Sequence, residues 1–85
     1  MKCVVQEIEG EGLESLLNQT VTLFCGIYIY TGRLIGVNAT CVKLTDAKIV
    51  YETGTLTTKD WQDVQSLPHD WYVERQAIES FGILK

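Results

Sequence analysis

Thr20-Val21-Thr22-Leu23-Phe24-Cys25-Gly26-Ile27-Tyr28-Ile29-Tyr30-Thr31-Gly32-Arg33-Leu34-Ile35-Gly36-Val37 is the stretch that decides the fold. Val21, Leu23 and Cys25 alternate with Thr20, Thr22 and Phe24, the two-residue period of a strand. The following residues are β-branched and aromatic, which suits a pleated, half-buried surface. Gly26 supplies a turn, so the stretch reads as two strands, Thr20–Cys25 and Ile27–Val37. Gly32 and Gly36 lie inside the second. Glycine weakens a strand interior unless the strand must bend sharply or pack closely. Two glycines four positions apart point to a small, strongly bent barrel.

Outward from this stretch the chain reads in the same sense. Toward the N-terminus, Leu13, Leu16 and Leu17 recur at i, i+3 and i+4, which predicts a short helix over Gly12–Asn18. So short a helix has to lean on something else. Residues 1–11 read as an N-terminal extension, with Lys2–Glu9 either a short strand or loose. Toward the C-terminus, Asn38-Ala39-Thr40 is a turn, and Cys41–Glu52 a third strand broken at Asp46-Ala47. Thr53–Asp70 is a polar, variable loop, with Trp61 and Val64 as packing points. Trp71–Gln76 and Ala77–Ile83 are the last two strands. The expected fold is mostly β, a short N-terminal helix on a strongly bent five-stranded barrel whose closure removes exposed edges.

The chain has 85 residues, which makes residues 1–85 one domain. A domain of this size buries only about 60% of the surface its unfolded chain exposes. Yet 46% of its residues are hydrophobic, so part of the apolar surface is expected to face another subunit. No run approaches the roughly 20 apolar residues of a membrane span, and Met1–Glu7 lacks the apolar core of a signal peptide. Cys3, Cys25 and Cys41 are odd in number and widely spaced, neither a disulfide framework nor a zinc knuckle. A reducing cytoplasm is the expected location.

Net charge is −4, which does not by itself suggest a polyanionic partner. Its distribution is uneven. Residues 20–51 carry three basic residues against one acidic, whereas residues 1–19 and 52–85 each carry −3. His69 has no partners at metal-ligand spacing, and nothing fixes Ser66, His69 and Asp70 in a catalytic geometry. Trp61 and Trp71 read as core or interface residues. With no cradle for a phosphate and no paired carboxylates, the chain reads as a non-enzyme without cofactor or metal.

The order of these elements carries a resemblance. Leu13-Glu14-Ser15-Leu16-Leu17-Asn18-Gln19-Thr20-Val21-Thr22-Leu23, then Tyr30-Thr31-Gly32-Arg33-Leu34-Ile35-Gly36-Val37-Asn38 and Leu44-Thr45-Asp46-Ala47, resemble the first motif of the Sm and Sm-like (LSm/Hfq) family. Val73-Glu74-Arg75-Gln76-Ala77-Ile78-Glu79-Ser80-Phe81 resembles the second, which in the bacterial branch reads Val-Tyr-Lys-His-Ala-Ile. The resemblance spans residues 12–83. It implies an SH3-like barrel in a homo-oligomeric ring, where the fourth strand of one subunit pairs with the fifth of the next. Tyr72, Val73, Ile78, Phe81 and Ile83 would then form the subunit interface.

The resemblance also implies single-stranded RNA bound around the pore, in pockets made by the loop after the second strand and the loop between the last two. The family's first loop reads Asp-x-x-Met-Asn. Here Asn38 takes the Asp place, the loop is one residue short, and Cys41 or Val42 falls where Asn is expected. No Met, aromatic or His in this loop offers a stacking face. Stacking contributes ~1–3 kcal/mol per base, so a uridine site of the family kind should be weakened. The residues implied to meet RNA are Asn38, Thr40, Cys41, Arg75 and Gln76. Arg75 has an alternative role as an ion-pair partner of a neighbour's Glu74 or Glu79, and Asn38 as a turn residue holding its own backbone. At the level of function, an oligomeric protein-interaction scaffold without RNA affinity and a monomeric SH3-like or OB-like binding module stand beside the RNA-binding ring.

Overall fold

The computed structural model describes residues 12–85. The N-terminal extension, with its possible strand Lys2–Glu9 and Cys3, lies outside the described residues. Six strands follow one another: β1 (Thr20–Cys25), β2 (Ile29–Val37), β3 (Cys41–Glu52), β4 (Asp63–Ser66), β5 (Trp71–Glu74) and β6 (Ile78–Gly82). All pairings are antiparallel, in the order β4-β3-β2-β1-β6, with β5 on β3 as well. β3 is long enough to take two partners on one edge. Cys41–Leu44 pairs with β5 and Lys48–Glu52 with β4.

The sheet has to curl. β5 and β6 lie at opposite ends of the strand order, yet only a 3₁₀ turn, Arg75–Ala77, joins them. Laid flat, four interstrand spacings would separate them by ~19 Å. Three 3₁₀ residues rise only ~6 Å. The expected closure is corrected here: among the described residues no ladder joins β5 to β6, so the curled sheet stays open at this seam rather than forming a closed barrel.

Gly32 permits the curl at the centre. Thr31 pairs with Lys48 and Arg33 with Thr45, leaving Asp46-Ala47 as a bulge opposite Gly32. Asp46 takes the left-handed conformation, φ 52°. A Cβ on Gly32 would stand 3.1 Å from Ala47 Cα and from Thr45 O, and 3.2 Å from Leu44 Cβ. The break expected at Asp46-Ala47 is therefore a bulge inside one continuous strand.

Four other expectations are corrected. The helix over Gly12–Asn18 is a single 3₁₀ turn, Leu13–Leu16. Gly12 at φ 80° and Asn18 at φ 71° bracket it in left-handed backbone, and Leu17 is already extended. Three residues per turn put Leu13 and Leu16 on the core side and turn Leu17 outward. The loop Thr53–Asp70 contains β4, so the strands number six, not five. β4 has one half-buried residue, Val64, opposite Val50 of β3, and no alternation that would reveal it. The last two strands are shorter than expected, because Arg75–Ala77 form the connecting turn. β2 likewise begins at Ile29, since Gly26–Tyr28 make the turn closed by Cys25 N–H donating to Tyr28 O at 2.9 Å.

The core is Leu13, Val21, Leu23, Leu34, Val42, Leu44, Ala47 and Val73, with Leu16, Cys25, Tyr30, Val37, Leu67 and Ile78 packed around it. It fills the inside of the curl. No helix of the described residues is long and apolar enough to cross a membrane.

Candidate ligand-binding seam

The β2–β3 loop is held by one side chain. Asn38 Oδ1 accepts from Thr40 N–H (2.8 Å), Thr40 Oγ1 (3.1 Å) and Cys41 N–H (2.8 Å). Asn38 N–H donates to Cys41 O at 3.0 Å. This is the turn role of asparagine, and it occupies the oxygen that a ligand would need.

The β5–β6 turn docks on this loop. Arg75 N–H donates to Thr40 O at 2.8 Å, and Arg75 Nη1 donates to Asn38 O at 2.9 Å and to Glu14 Oε1 at 3.0 Å. Of the five residues singled out by resemblance, these bonds tie together Asn38 and Thr40 of the loop, Cys41 at the start of β3 and Arg75 of the turn, and Gln76 follows Arg75 on that turn. Arg75 is half-buried and paired within its own chain to Glu14, rather than to Glu74 or Glu79. The Glu14 carboxyl is held below its ordinary value of 4.5, first by its own backbone N–H and then by Arg75. Gln76 and Thr40 are exposed.

Beside Gln76 the open seam forms a groove of about 530 Å³. It is lined by Tyr28 and Tyr30 from the β1–β2 hairpin, Tyr72 from β5, and Cys25 at the end of β1. The Tyr28 and Tyr30 rings are tilted by 59° with centroids 6.3 Å apart. Tyr72 is 60% exposed, with Lys43 Nζ 5.4 Å from its ring centre and 3.9 Å from Asp70. Glu74 and Glu79 also line the groove. Burial and then Glu79 push the Cys25 thiol up, which keeps it protonated and poorly nucleophilic at neutral pH.

These tyrosines were not legible as a site. No loop motif contains them; the curl brings β1–β2 and β5 together. The β2–β3 loop offers no aromatic face, whereas this groove has three.

Of the residues assigned to a subunit interface, Val73 is 5% exposed and belongs to the chain's own core, and Ile78 is half-buried against it. Tyr72, Phe81 and Ile83 are exposed. Trp71 is also exposed, whereas Trp61 is half-buried with Lys85 Nζ 4.6 Å from its ring centre. Among the described residues no three His, Cys, Asp or Glu side chains are grouped to hold a metal ion. No protein-family model, curated protein or solved structure matches the chain.

Proposed function

We propose that the chain is a protomer of a homo-oligomeric, Sm-like ring that binds single-stranded RNA without covalent chemistry. The observation that carries the reading is the tyrosine-lined groove opening beside Gln76 on the turn that also bears Arg75. Bases stack on aromatic faces whatever their sequence, and Gln76 and Thr40 supply hydrogen-bonding groups at the rim. The free edges of β5 and β6 support assembly. Unpaired edges bearing exposed Tyr72, Phe81 and Ile83 suit strand addition by a neighbour, a head-to-tail contact that closes into a ring. Weak single contacts would then add up around the ring.

A scaffold that binds protein instead is favoured by one observation: Glu14 neutralises Arg75, and among the described residues the charged groups lining the groove are Glu74 and Glu79. Fluorescence anisotropy with short uridine-rich and adenine-rich RNAs at two salt concentrations separates the two. On the RNA reading Tyr28→Ala, an exposed groove tyrosine away from the edges of β5 and β6, weakens binding about tenfold, the loss of one stacked base. Glu14→Gln frees Arg75 and tightens binding about two- to fivefold, the scale of an exposed ion pair. No binding by a well-formed oligomer at low salt overturns the RNA reading in favour of the scaffold.

A further inference from the structure

The chain is acidic, with seven Lys and Arg against eleven Asp and Glu, yet the unpaired cations among the described residues are gathered at one place. Among the described residues Lys43 is paired with Asp70 and Arg75 with Glu14. The other four, Arg33, Lys48, Lys59 and Lys85, make no ion pair among the described residues. All four line a single groove of about 650 Å³, together with Trp61 and Val64. Asp46 and Asp60 share its walls. The groove therefore holds four basic side chains against two acidic ones, while the rest of the chain holds three against nine.

The fold explains the convergence. Arg33 and Thr31 lie two apart on β2 and so face the same side of the sheet. Lys48 is directly opposite Thr31 across the β2–β3 ladder. Arg33 and Lys48 thus stand diagonally on one face, on rigid paired strands. Lys59 comes from the β3–β4 loop, and Lys85 fastens that loop. Lys85 Nζ donates to Thr53 O (2.7 Å), Thr55 O (3.0 Å) and Asp60 O (2.8 Å), and lies over Trp61. Its charge is engaged by carbonyl dipoles and a ring face, so its role is to position. Arg33, Lys48 and Lys59 retain their hydrogen-bonding capacity. Like charges gathered in one groove repel one another unless a counter-charge joins them.

We infer that this groove is a phosphate-binding site, taking the phosphate groups of a nucleotide or of an oligonucleotide backbone on Arg33, Lys48 and Lys59. Arg33 suits bidentate phosphate contact, and the two lysines act as point charges. The site shares no lining residue with the tyrosine groove, although both draw on β1 and β2, and it stands whether or not that groove binds RNA.

The test uses the full chain carrying Trp71→Phe, so that Trp61 is its single tryptophan. Tripolyphosphate, a nucleoside triphosphate and a 12-nucleotide oligouridine are titrated in low salt, with calorimetry measuring binding and Trp61 emission locating it. The expected result is saturable tripolyphosphate binding that changes Trp61 emission, weakened at least tenfold by Arg33→Gln with Lys48→Gln and unchanged by Lys43→Gln. Circular dichroism checks that each variant is folded. If the oligouridine also binds, the double variant should lower its salt slope by about 1.4, at ~0.7 per phosphate on a single strand. That result assigns the groove to an RNA backbone. Binding of tripolyphosphate and the nucleotide without the oligouridine assigns it to free nucleotides, and the RNA reading of the tyrosine groove then fails while this site stands. Absence of calorimetric binding, or binding that Lys43→Gln weakens as much as the double variant does, overturns the inference.

Discussion

At the scale of single residues, two polar groups make opposite demands. Thr22 is 1% exposed, and its hydroxyl has no hydrogen-bond partner among the described residues. Thr31, buried on the neighbouring strand, donates its hydroxyl to Val21 O at 2.9 Å. An unsatisfied buried hydroxyl costs about 1–3 kcal/mol, whereas a satisfied one is neutral or mildly favourable. Thr22→Val is therefore expected to raise stability by about 1 kcal/mol and Thr31→Val to lower it, read as shifts in the urea midpoint. Loss of stability at position 22 would show that its hydroxyl is bonded after all. Glu14 carries the pH dependence at this scale. Its folded value is depressed, so the tie to Arg75 contributes above the unfolded value near 4.5 and is lost as pH falls through the lower folded value. In an NMR titration the Glu14 carboxyl should titrate lower in the wild type than in Arg75→Gln. Identical curves would place the cause wholly in its own backbone N–H.

At the scale of elements, the β2–β3 ladder is the most constrained part of the fold. Gly32→Ala forces its methyl against backbone atoms of the Asp46-Ala47 bulge, and should destabilise by about 1–3 kcal/mol, as overpacking does. Gly36→Ala is the comparison. Its nearest neighbour is Lys43 Cβ at 3.4 Å, so a milder loss is expected in the same chemical denaturation. Equal losses would mean that strand entropy, not close approach, explains both glycines. The β3–β4 loop depends on one side chain. Lys85→Met keeps an apolar stem over Trp61 but removes three hydrogen bonds to carbonyls. Amides of residues 53–62 should then exchange faster while those of β1–β3 stay protected. Unchanged exchange in the loop would show that Lys85 merely lies on it.

For the whole molecule, the open seam is the feature on which the proposed assembly turns. Phe81 is 43% and Ile83 60% exposed at the β6 edge, on the opposite side of the seam from Tyr72. Charges on an edge strand discourage pairing with another chain. If the proposed ring forms, Phe81→Lys with Ile83→Lys should convert it to a folded monomer, read by light scattering with circular dichroism unchanged. A wild-type chain that is already monomeric would overturn the ring and leave a single-chain binding module.

The alternation of Val21, Leu23 and Cys25, the β-branched run to Val37 and the long run Cys41–Glu52 made β1, β2 and β3 legible in the sequence, because side chains alternate across a pleated strand and β-branched and aromatic residues suit its surface. Gly32 and Gly36 likewise marked where the sheet bends. The role of Asn38 as a turn residue and the clustering of the loop and turn residues around Arg75 were within reach as well. β4 was not, since its pairing to β3 relies on backbone hydrogen bonds and a single Val64–Val50 contact. The 3₁₀ turn at Leu13–Leu16 was read as α-helix, because i and i+3 share a face in both and the left-handed Asn18 was unforeseen. The tyrosine groove and the cationic groove belong to the tertiary structure alone. Each joins residues from strands and loops far apart in the chain, and only the curl of the sheet, with β5 and β6 drawn together by three residues, decides which of them meet.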